Sequence, residues 1–541
     1  MQYEVLNINC NFYCQMRICI GEFEYFRERE CVHMSDVTHG EVGNYGFLKK
    51  VEQIGNKLPN PAILFLLFFL ILAVISAILA NMNISAIHPM THKVLPVKSL
   101  LSAEGAQWFF PNMIKNYIDF PPLGMIMVLT MGIGLLEKTG LLNVCINGTI
   151  KSIPAKYITF TIVFLSFMSH VASDAAIVIV PPIAAMVYYS LGRHPFAGFA
   201  ISLAAIYSGF TANILIVTTD VLLSGISTQA AQIIDPHIVV NVTDNWYFMS
   251  FSVIFHSLLL TYVSEHFFEP KLGKYEGTDI AVAEIKAPTA LEKKALKVSG
   301  VAVLIFFAIV ALLVVPEGAI LRNPQTGGIA GSPFVKSIVS FLFVFFLTAG
   351  LSYGITAKTI TSGDVAIKMM TECVRSLAGF LVMVFGIAQF IAAFTWTNIA
   401  TLIATSGASF LESIGMTGLP AFLLFMLFGQ FMGLFIASGS AIWALLSPVF
   451  VPMFMLLGYH PAFIQVAFRA GDGALNTIQL VNPFLPLFIE TLQRYKKDSG
   501  IGTYLSLMMP YALLFFVLWY SLFIAWYLLG LPPGPGVGQY L

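Results

Sequence analysis

Ionisable side chains are what this sequence has least of. Asp, Glu, Lys and Arg make up 10% of 541 residues and balance to a net charge of zero. No basic stripe is present, and no nucleic acid is expected as a partner. Cysteine is scarce too, at six residues. Cys145 and Cys373 stand singly, and Cys10, Cys14, Cys19 and Cys31 crowd the start at spacings that fit no zinc pattern. Neither a disulfide framework nor a bound metal cluster is therefore expected. Walker, dinucleotide-binding, zinc and nucleophile-elbow motifs are all missing, so the chain carries no engine for nucleotide hydrolysis and no enzyme signature. The first 57 residues are polar and are expected to form a cytoplasmic extension; within it, residues 1–33 read as an extended start ahead of Met34.

Apolar sequence is abundant: 57% of residues are hydrophobic and the mean hydropathy is +0.82. Repeated apolar runs of that kind mean a polytopic helical membrane protein. The runs predict an all-α fold of nine transmembrane helices plus two re-entrant hairpins in an inverted repeat. Spans are expected near 58–82, 122–143, 196–218, 246–264, 298–316, 335–353, 377–397, 461–490 and 503–530. The hairpins are expected at 157–193 and 418–458, with external loops up to about residue 120, at 219–245 and at 398–417. The first half is then 58–264 and the second 298–541, joined by a cytoplasmic linker, 265–297.

The repeat rests on two related stretches. The first reads A-S-D-A-A-I-V-I-V-P-P from Ala172, L-G-R-H-P at 191–195 and S-G-F-T-A-N at 208–213. The second reads A-S-G-S-A-I-W-A-L-L-S-P from Ala437, L-G-Y-H-P at 457–461 and R-A-G-D-G-A-L-N at 469–476. Each contains a hairpin and then a broken helix, 196–218 in one half and 461–490 in the other. Apolar segments broken by small residues at matching places in two halves point to the binding site of a secondary transporter. Charge supports the inverted arrangement. Of the 28 Lys and Arg, only Lys93, Lys98, Lys115 and Arg322 fall in segments read as external, which places the N-terminus in the cytoplasm and the C-terminus outside.

Four ionisable residues fall well inside predicted membrane segments: Asp174, Arg469, Asp472 and Glu490. Each costs at least ~2.5 kcal/mol at mid-bilayer, so each needs a reason. Glu490 has one at hand in Arg494, a turn away. Asp174 opens the return arm of the first hairpin, where it serves as a helix cap, a cation ligand or a proton carrier. Arg469 and Asp472, three residues apart, either satisfy one another or divide the work. In the second case Arg469 offers its planar fork to an anionic substrate, and Asp472 orients it or joins ion coupling. Asn213 and Asn476 occupy the two helix breaks, where amide and freed carbonyl oxygens suit a hard cation; sodium at Asp174, Asn213 and Asn476 is the expectation. Ser440 and Trp443 sit on the second hairpin's return arm, where an indole can stack on an aromatic ligand or fill the core. His170 stands beside the first tip, as a titrating group or a structural one.

Several motifs are long enough to identify relatives: S-L-G-R-H-P-F-A-G at 190–198, G-F-T-A-N-I-L-I-V-T-T-D-V-L-L-S-G-I-S-T at 209–228, D-N-W-Y-F-M at 244–249, F-I-A-S-G-S-A-I-W at 435–443 and F-V-P-M-F-M-L-L-G-Y-H-P at 450–461. Through them the chain resembles the p-aminobenzoyl-glutamate transporter family over roughly 45–535. The resemblance implies a homodimer in the inner membrane and ion-coupled movement of p-aminobenzoyl-glutamate, with sodium or protons as the coupling ion and no other cofactor. It implies functional roles for Asp174, Asn213, Ser440, Trp443, Pro461, Arg469, Asp472 and Asn476. Some members of the family resemble exporters of sulfonamide-type antimetabolites, so the direction of transport stays open. Two departures bear on the ion: Ser169-His170 replaces Ser-Asn, and Asp472-Gly473 replaces Asp-Ser. Two other functions remain as alternatives, a channel and an intramembrane aspartyl protease using Asp174 and Asp472. Arg469 beside Asp472 argues against a proton-sharing dyad, as does Ala470 where such proteases carry Gly.

Overall fold

A computed structural model describes residues 61–87, 92–145, 154–172, 174–275, 288–325, 327–328, 332–436, 438–479, 482 and 484–541. The N-terminal extension, the middle of the predicted linker (276–287), Ser173 and Ala437 lie outside the described residues, as do the side chains of Ala172, Asp174 and Ala175.

The described chain is helical apart from one short hairpin of strands, β1 (Ser85–Ile87) and β2 (Val94–Pro96), paired antiparallel with Ala86 opposite Leu95. The helices are α1 (Pro61–Asn81), α2 (Ala103–Ile118), α3 (Pro121–Lys138), α4 (Ile158–Met168), α5 (Asp174–Ser190), α6 (Pro195–Tyr207), α7 (Thr218–Ala231), α8 (Trp246–Val263) and α9 (Ala290–Val314). They continue as α10 (Ile338–Thr356), α11 (Gly363–Ser376), α12 (Ala378–Trp396), α13 (Ile399–Ser413), α14 (Leu419–Gly433), α15 (Gly439–Leu456), α16 (Pro461–Gly473), α17 (Leu485–Gln493) and α18 (Ile501–Leu528). Among the described residues, eight helical stretches are long and apolar enough to cross a membrane.

The two related stretches fold alike. In each, two apolar helices are joined by a short link (α4 with α5, α14 with α15), and a helix of 13 residues follows (α6, α16) and then unwinds. At 1.5 Å per residue α4 is about 16 Å long and α14 about 22 Å, against a hydrocarbon core of about 30 Å. L-G-x-H-P explains the turn between the pair and the third helix. Gly192 and Gly458 take φ of +70° and +90°, which ends the preceding helix without a Cβ clash. Nδ1 of His194 accepts the Phe196 N–H and Nδ1 of His460 accepts the Ala462 N–H, each at 3.2 Å. Pro195 and Pro461 then occupy the first turn, where a missing N–H is harmless.

Three predicted loops contain helices. The segment up to residue 120 holds α2, which leads into α3; 219–245 holds α7; and 398–417 holds α13. The third broken span is corrected accordingly. It does not end at 218: its first half is α6, it unwinds over 208–217, and its second half is α7. The reason is composition. Ser224, Gly225, Ser227 and Thr228 of α7 are buried against other helices, so the segment needs no lipid-grade hydropathy. The start of the predicted linker is likewise helical, because α8 runs on through residue 272.

Candidate functional site

Arg469, Asp472 and Asp220 are gathered around the two helix breaks. Ser208 and Thr477, one from each break, are hydrogen-bonded at 3.1 Å, and the Tyr207 hydroxyl donates to Asn482 Oδ1 at 3.0 Å. Trp519 Nε1 donates to Ser208 O and the Tyr504 hydroxyl to Thr477 O, so α18 fastens both breaks. Gly473 is required at the crossing, because a Cβ there would stand 2.7 Å from Phe210 Cβ and 3.0 Å from Ser208 O. The departure at Asp472-Gly473 therefore has a packing reason in this chain.

Arg469 is fully buried on α16, but its partner is not Asp472. Nη1 donates to Asp220 Oδ1 at 2.6 Å, and Nη2 donates to the Thr211 hydroxyl at 2.8 Å and to Thr211 O at 3.2 Å. Of the two alternatives for Arg469 and Asp472, the mutually satisfied pair does not form: spacing three apart places both on one helix, but the guanidinium points across to α7 and the first break. To the ionisable residues placed inside the membrane segments the structure adds Asp220, which stood in a predicted external loop. Its other oxygen caps α7 by accepting the Val217 N–H at 2.7 Å. An acidic residue in the first turn ahead of Val221-Leu222-Leu223 was the available signal. Thr211 presents its carbonyl and hydroxyl to Arg469 from a left-handed conformation, φ +57°.

Asp472 faces a cavity of ≈ 220 Å³ lined also by His170, Tyr207, Phe210, Thr211, Asn476 and Gln479. Neither carboxylate oxygen has a hydrogen-bond donor at bonding distance among the described residues, and the Asn476 amide stands beside it. The second helix pair packs closely on it because the end of α14 and the start of α15 are glycines. A Cβ on Gly439 would lie 2.6 Å from Asp472 Oδ2, and one on Gly433 would lie 3.1 Å from Oδ1. The carboxylate thereby meets the N-terminus of α15, whose positive dipole end favours it. Gln479 Nε2 holds the tip by donating to the Gly433 and Ile436 carbonyls.

The remaining predicted residues are dispersed. Asn213 is buried, and its amide is used on backbone: Nδ2 donates to Phe167 O and Met168 O, and Oδ1 accepts the Leu215 N–H. Asp174 heads α5, with its side chain outside the described residues. Ser440 lies in the first turn of α15, 3.1 Å from Ser438 Oγ. Trp443 is fully buried and stacked on Phe468 at 4.6 Å, so its indole fills core rather than the cavity wall. Pro461 opens α16, about 16 Å of helix away from Asp472. The ring nitrogens of His170 face the Phe167, Ala212 and Ile206 carbonyls. Glu490 pairs with Arg494 at 3.0 Å on the exposed surface.

Residues 46–541 match the family described as AbgT putative transporter family. The chain is 46% identical to the p-aminobenzoyl-glutamate transport protein of Escherichia coli K12, over 90% of this chain and 96% of that one. Two solved structures share its architecture. The Alcanivorax borkumensis YdaH transporter, described as having an unusual topology, superposes with a TM-score of 0.84 at 35% identity, covering 88% of this chain and all of that one. Neisseria gonorrhoeae MtrF, described among antimetabolite efflux pumps, gives 0.85 at 40% identity, covering 91% of this chain and all of that one.

Proposed function

Because the chain belongs to the AbgT transporter family, we propose that it moves p-aminobenzoyl-glutamate, an aromatic dicarboxylate, across the inner membrane as an ion-coupled secondary transporter. One observation carries the reading: a fully buried guanidinium behind the cavity wall, bonded to its lining residue Thr211, is held by one carboxylate, Asp220, and keeps its Nε–H unused. A substrate carboxylate competes for that fork with Asp220 as internal counter-ion, so binding exchanges one buried ion pair for another instead of stranding a charge. Tyr207 and Phe210 in the cavity wall supply faces for the aromatic ring.

Coupling is assigned to Asp472. Its carboxylate is paired with no cation among the described residues and has the Asn476 amide beside it in the cavity, a set that accepts a proton or a sodium ion. Occupancy would neutralise the charge under the glycine tip and let the second helix pair close, which links ion and substrate. Both helix pairs act as re-entrant hairpins in an inverted repeat, supported by the shortness of their entering helices α4 and α14 and by the Lys/Arg asymmetry. The working assembly is a homodimer. The largely exposed apolar helix α9, with Leu304, Phe307 and Leu312 outward, is available to a partner as well as to lipid.

The test is uptake of labelled p-aminobenzoyl-glutamate into liposomes holding the purified protein, with sodium and proton gradients imposed separately and in both directions. Gradient-driven accumulation that Arg469→Ala abolishes is the expected result; retained affinity in that variant overturns the anion clamp. The likeness to an efflux pump favours a second reading, outward movement of a sulfonamide-type antimetabolite through the same cavity. Liposomes loaded with such a drug decide it.

A further inference from the structure

Arg469 is not the only polar link between α7 and α16. One turn before it on the same face of α16, Gln465 Oε1 accepts the Ser227 hydroxyl at 2.6 Å. Ser227 lies seven residues beyond Asp220 on α7, again on one face. The two antiparallel helices are therefore joined by two rungs, Asp220–Arg469 and Ser227–Gln465. The second rung extends into a directed chain. Trp443 Nε1 donates to Ser227 Oγ at 3.0 Å, Ser227 to Gln465, Gln465 Nε2 to Asn245 Oδ1 at 2.8 Å, and Asn245 Nδ2 to Ala462 O at 2.8 Å. All four residues are at most 3% exposed. Every side-chain oxygen in the chain accepts a bond, in contrast to Asp472 a few residues on.

We infer that Ser227 and Gln465 are positioning residues for Arg469, and that their chain sets the rotation of α16 that aims the guanidinium at Asp220 and the first break. The inference rests on the clamp role proposed for Arg469. Its physical basis is that no apolar contact fixes the rotation of a helix about its own axis as sharply as a buried directional bond one turn away. Trp443 adds the third anchor. Its ring is stacked on Phe468, the residue next to Arg469, while its N–H is tied to α7, so the return arm of the second helix pair, α16 and α7 share one node at Ser227.

The test is a double-mutant cycle in proteoliposomes, reading KM and maximal rate for p-aminobenzoyl-glutamate. Ser227→Ala is expected to raise KM about tenfold with the maximal rate held within about twofold, because it removes alignment without removing the clamp. Ser227→Thr, which keeps the hydroxyl, is expected to restore KM. In an Asp220→Asn background, which keeps one acceptor oxygen, the Ser227→Ala effect is expected to shrink below about threefold, since both changes act through one guanidinium. Equal effects in both backgrounds, or a loss in melting temperature with no change in KM, overturn the inference and leave Ser227 a packing residue. Gln465→Leu is the second variant should Ser227→Ala fail to fold, with the same expectations. Arg469→Ala run alongside separates the two claims. If it leaves KM unchanged, the clamp reading fails by itself, and the two-rung ladder is judged on the same cycle read in melting temperature, where additivity overturns it.

Discussion

The two L-G-x-H-P turns are built identically and fastened differently. Both use a glycine of positive φ, a histidine cap and a proline in the first turn. The variable residue decides what holds them. Arg193 of the first turn pairs with Glu269 and Glu265 on the continuation of α8, donates to the Thr159 hydroxyl and lies over the Tyr188 ring at 4.1 Å. Tyr459 of the second instead bonds the Tyr527 hydroxyl at 2.7 Å and stacks on Tyr540. The C-terminal strand of chain is threaded through that turn: the His460 N–H donates to Gln539 O and the Leu541 N–H donates to Gly458 O. One end of the repeat is an ionic clasp and the other an aromatic one closed by the tail. A duplicated motif thus conserves the local bend, while each copy takes its fastening from whatever tertiary neighbour it meets. The breaks diverge in the same way, the first giving Thr211 and Asp220 to the guanidinium, the second giving the guanidinium itself and the open carboxylate of Asp472.

The sharpest way to break this comparison is at the tips. Gly439→Ala is expected to cut transport more than about 100-fold, because its methyl would overlap both the Phe210 ring and, at 2.6 Å, the Asp472 carboxylate. Transport at the wild-type rate in that variant would show that the tip opens away from Asp472 during the cycle. Next come the clasps. Arg193→Ala is expected to destabilise by about 2 kcal/mol, reduced from a fully buried pair because both partners keep some water contact. Tyr459→Phe, which loses one neutral hydrogen bond, is expected to cost about 1 kcal/mol or less. Equal melting shifts for the two would mean that the ionic clasp holds no more than the aromatic one.

The caps should be equivalent, since they are the shared part. His194→Ala and His460→Ala are each expected to cost about 1 kcal/mol, read as melting temperature in detergent. Burial pushes His460 down to about 4 and lowers His194, which keeps both rings neutral and able to accept. A capping loss at only one site would show that the turns differ in more than their fastening. An effect confined to one pH range is expected at Asp244, buried just ahead of α8 against the Gly534 backbone of the tail. Burial raises its carboxyl from 3.8 to about 7. The folded protein therefore holds a proton that the unfolded chain releases. The resulting stability is complete below about pH 4 and is lost as pH rises through about 7. Asp244→Asn should raise the melting temperature by a few degrees at pH 8 and by nothing at pH 4; a pH-independent gain would refute the titration.

Most of the architecture was legible because lipid-facing helices must be apolar along their whole length. The predicted spans near 246–264, 377–397 and 503–530 meet α8, α12 and α18 within a few residues. Both helix pairs were legible from Gly, Ser and Pro breaking those runs. What escaped were α7, which faces protein and so tolerates Ser, Thr and Gly where lipid does not, and α2 and α13, whose apolar runs are interrupted by polar side chains. Asp220 escaped with α7.

By itself the sequence determined that this chain lives in a membrane, that its halves are related, and that Arg469 and Asp472 must have a purpose, because apolar length, repeated spacing and the cost of buried charge are properties of composition and order. Only the tertiary structure decided who meets whom. Arg469 turns to Asp220, 249 positions earlier in the chain, and leaves Asp472 open to the cavity. Helical spacing says which residues share a face, whereas the direction of a long guanidinium side chain is set by the helix packed opposite it.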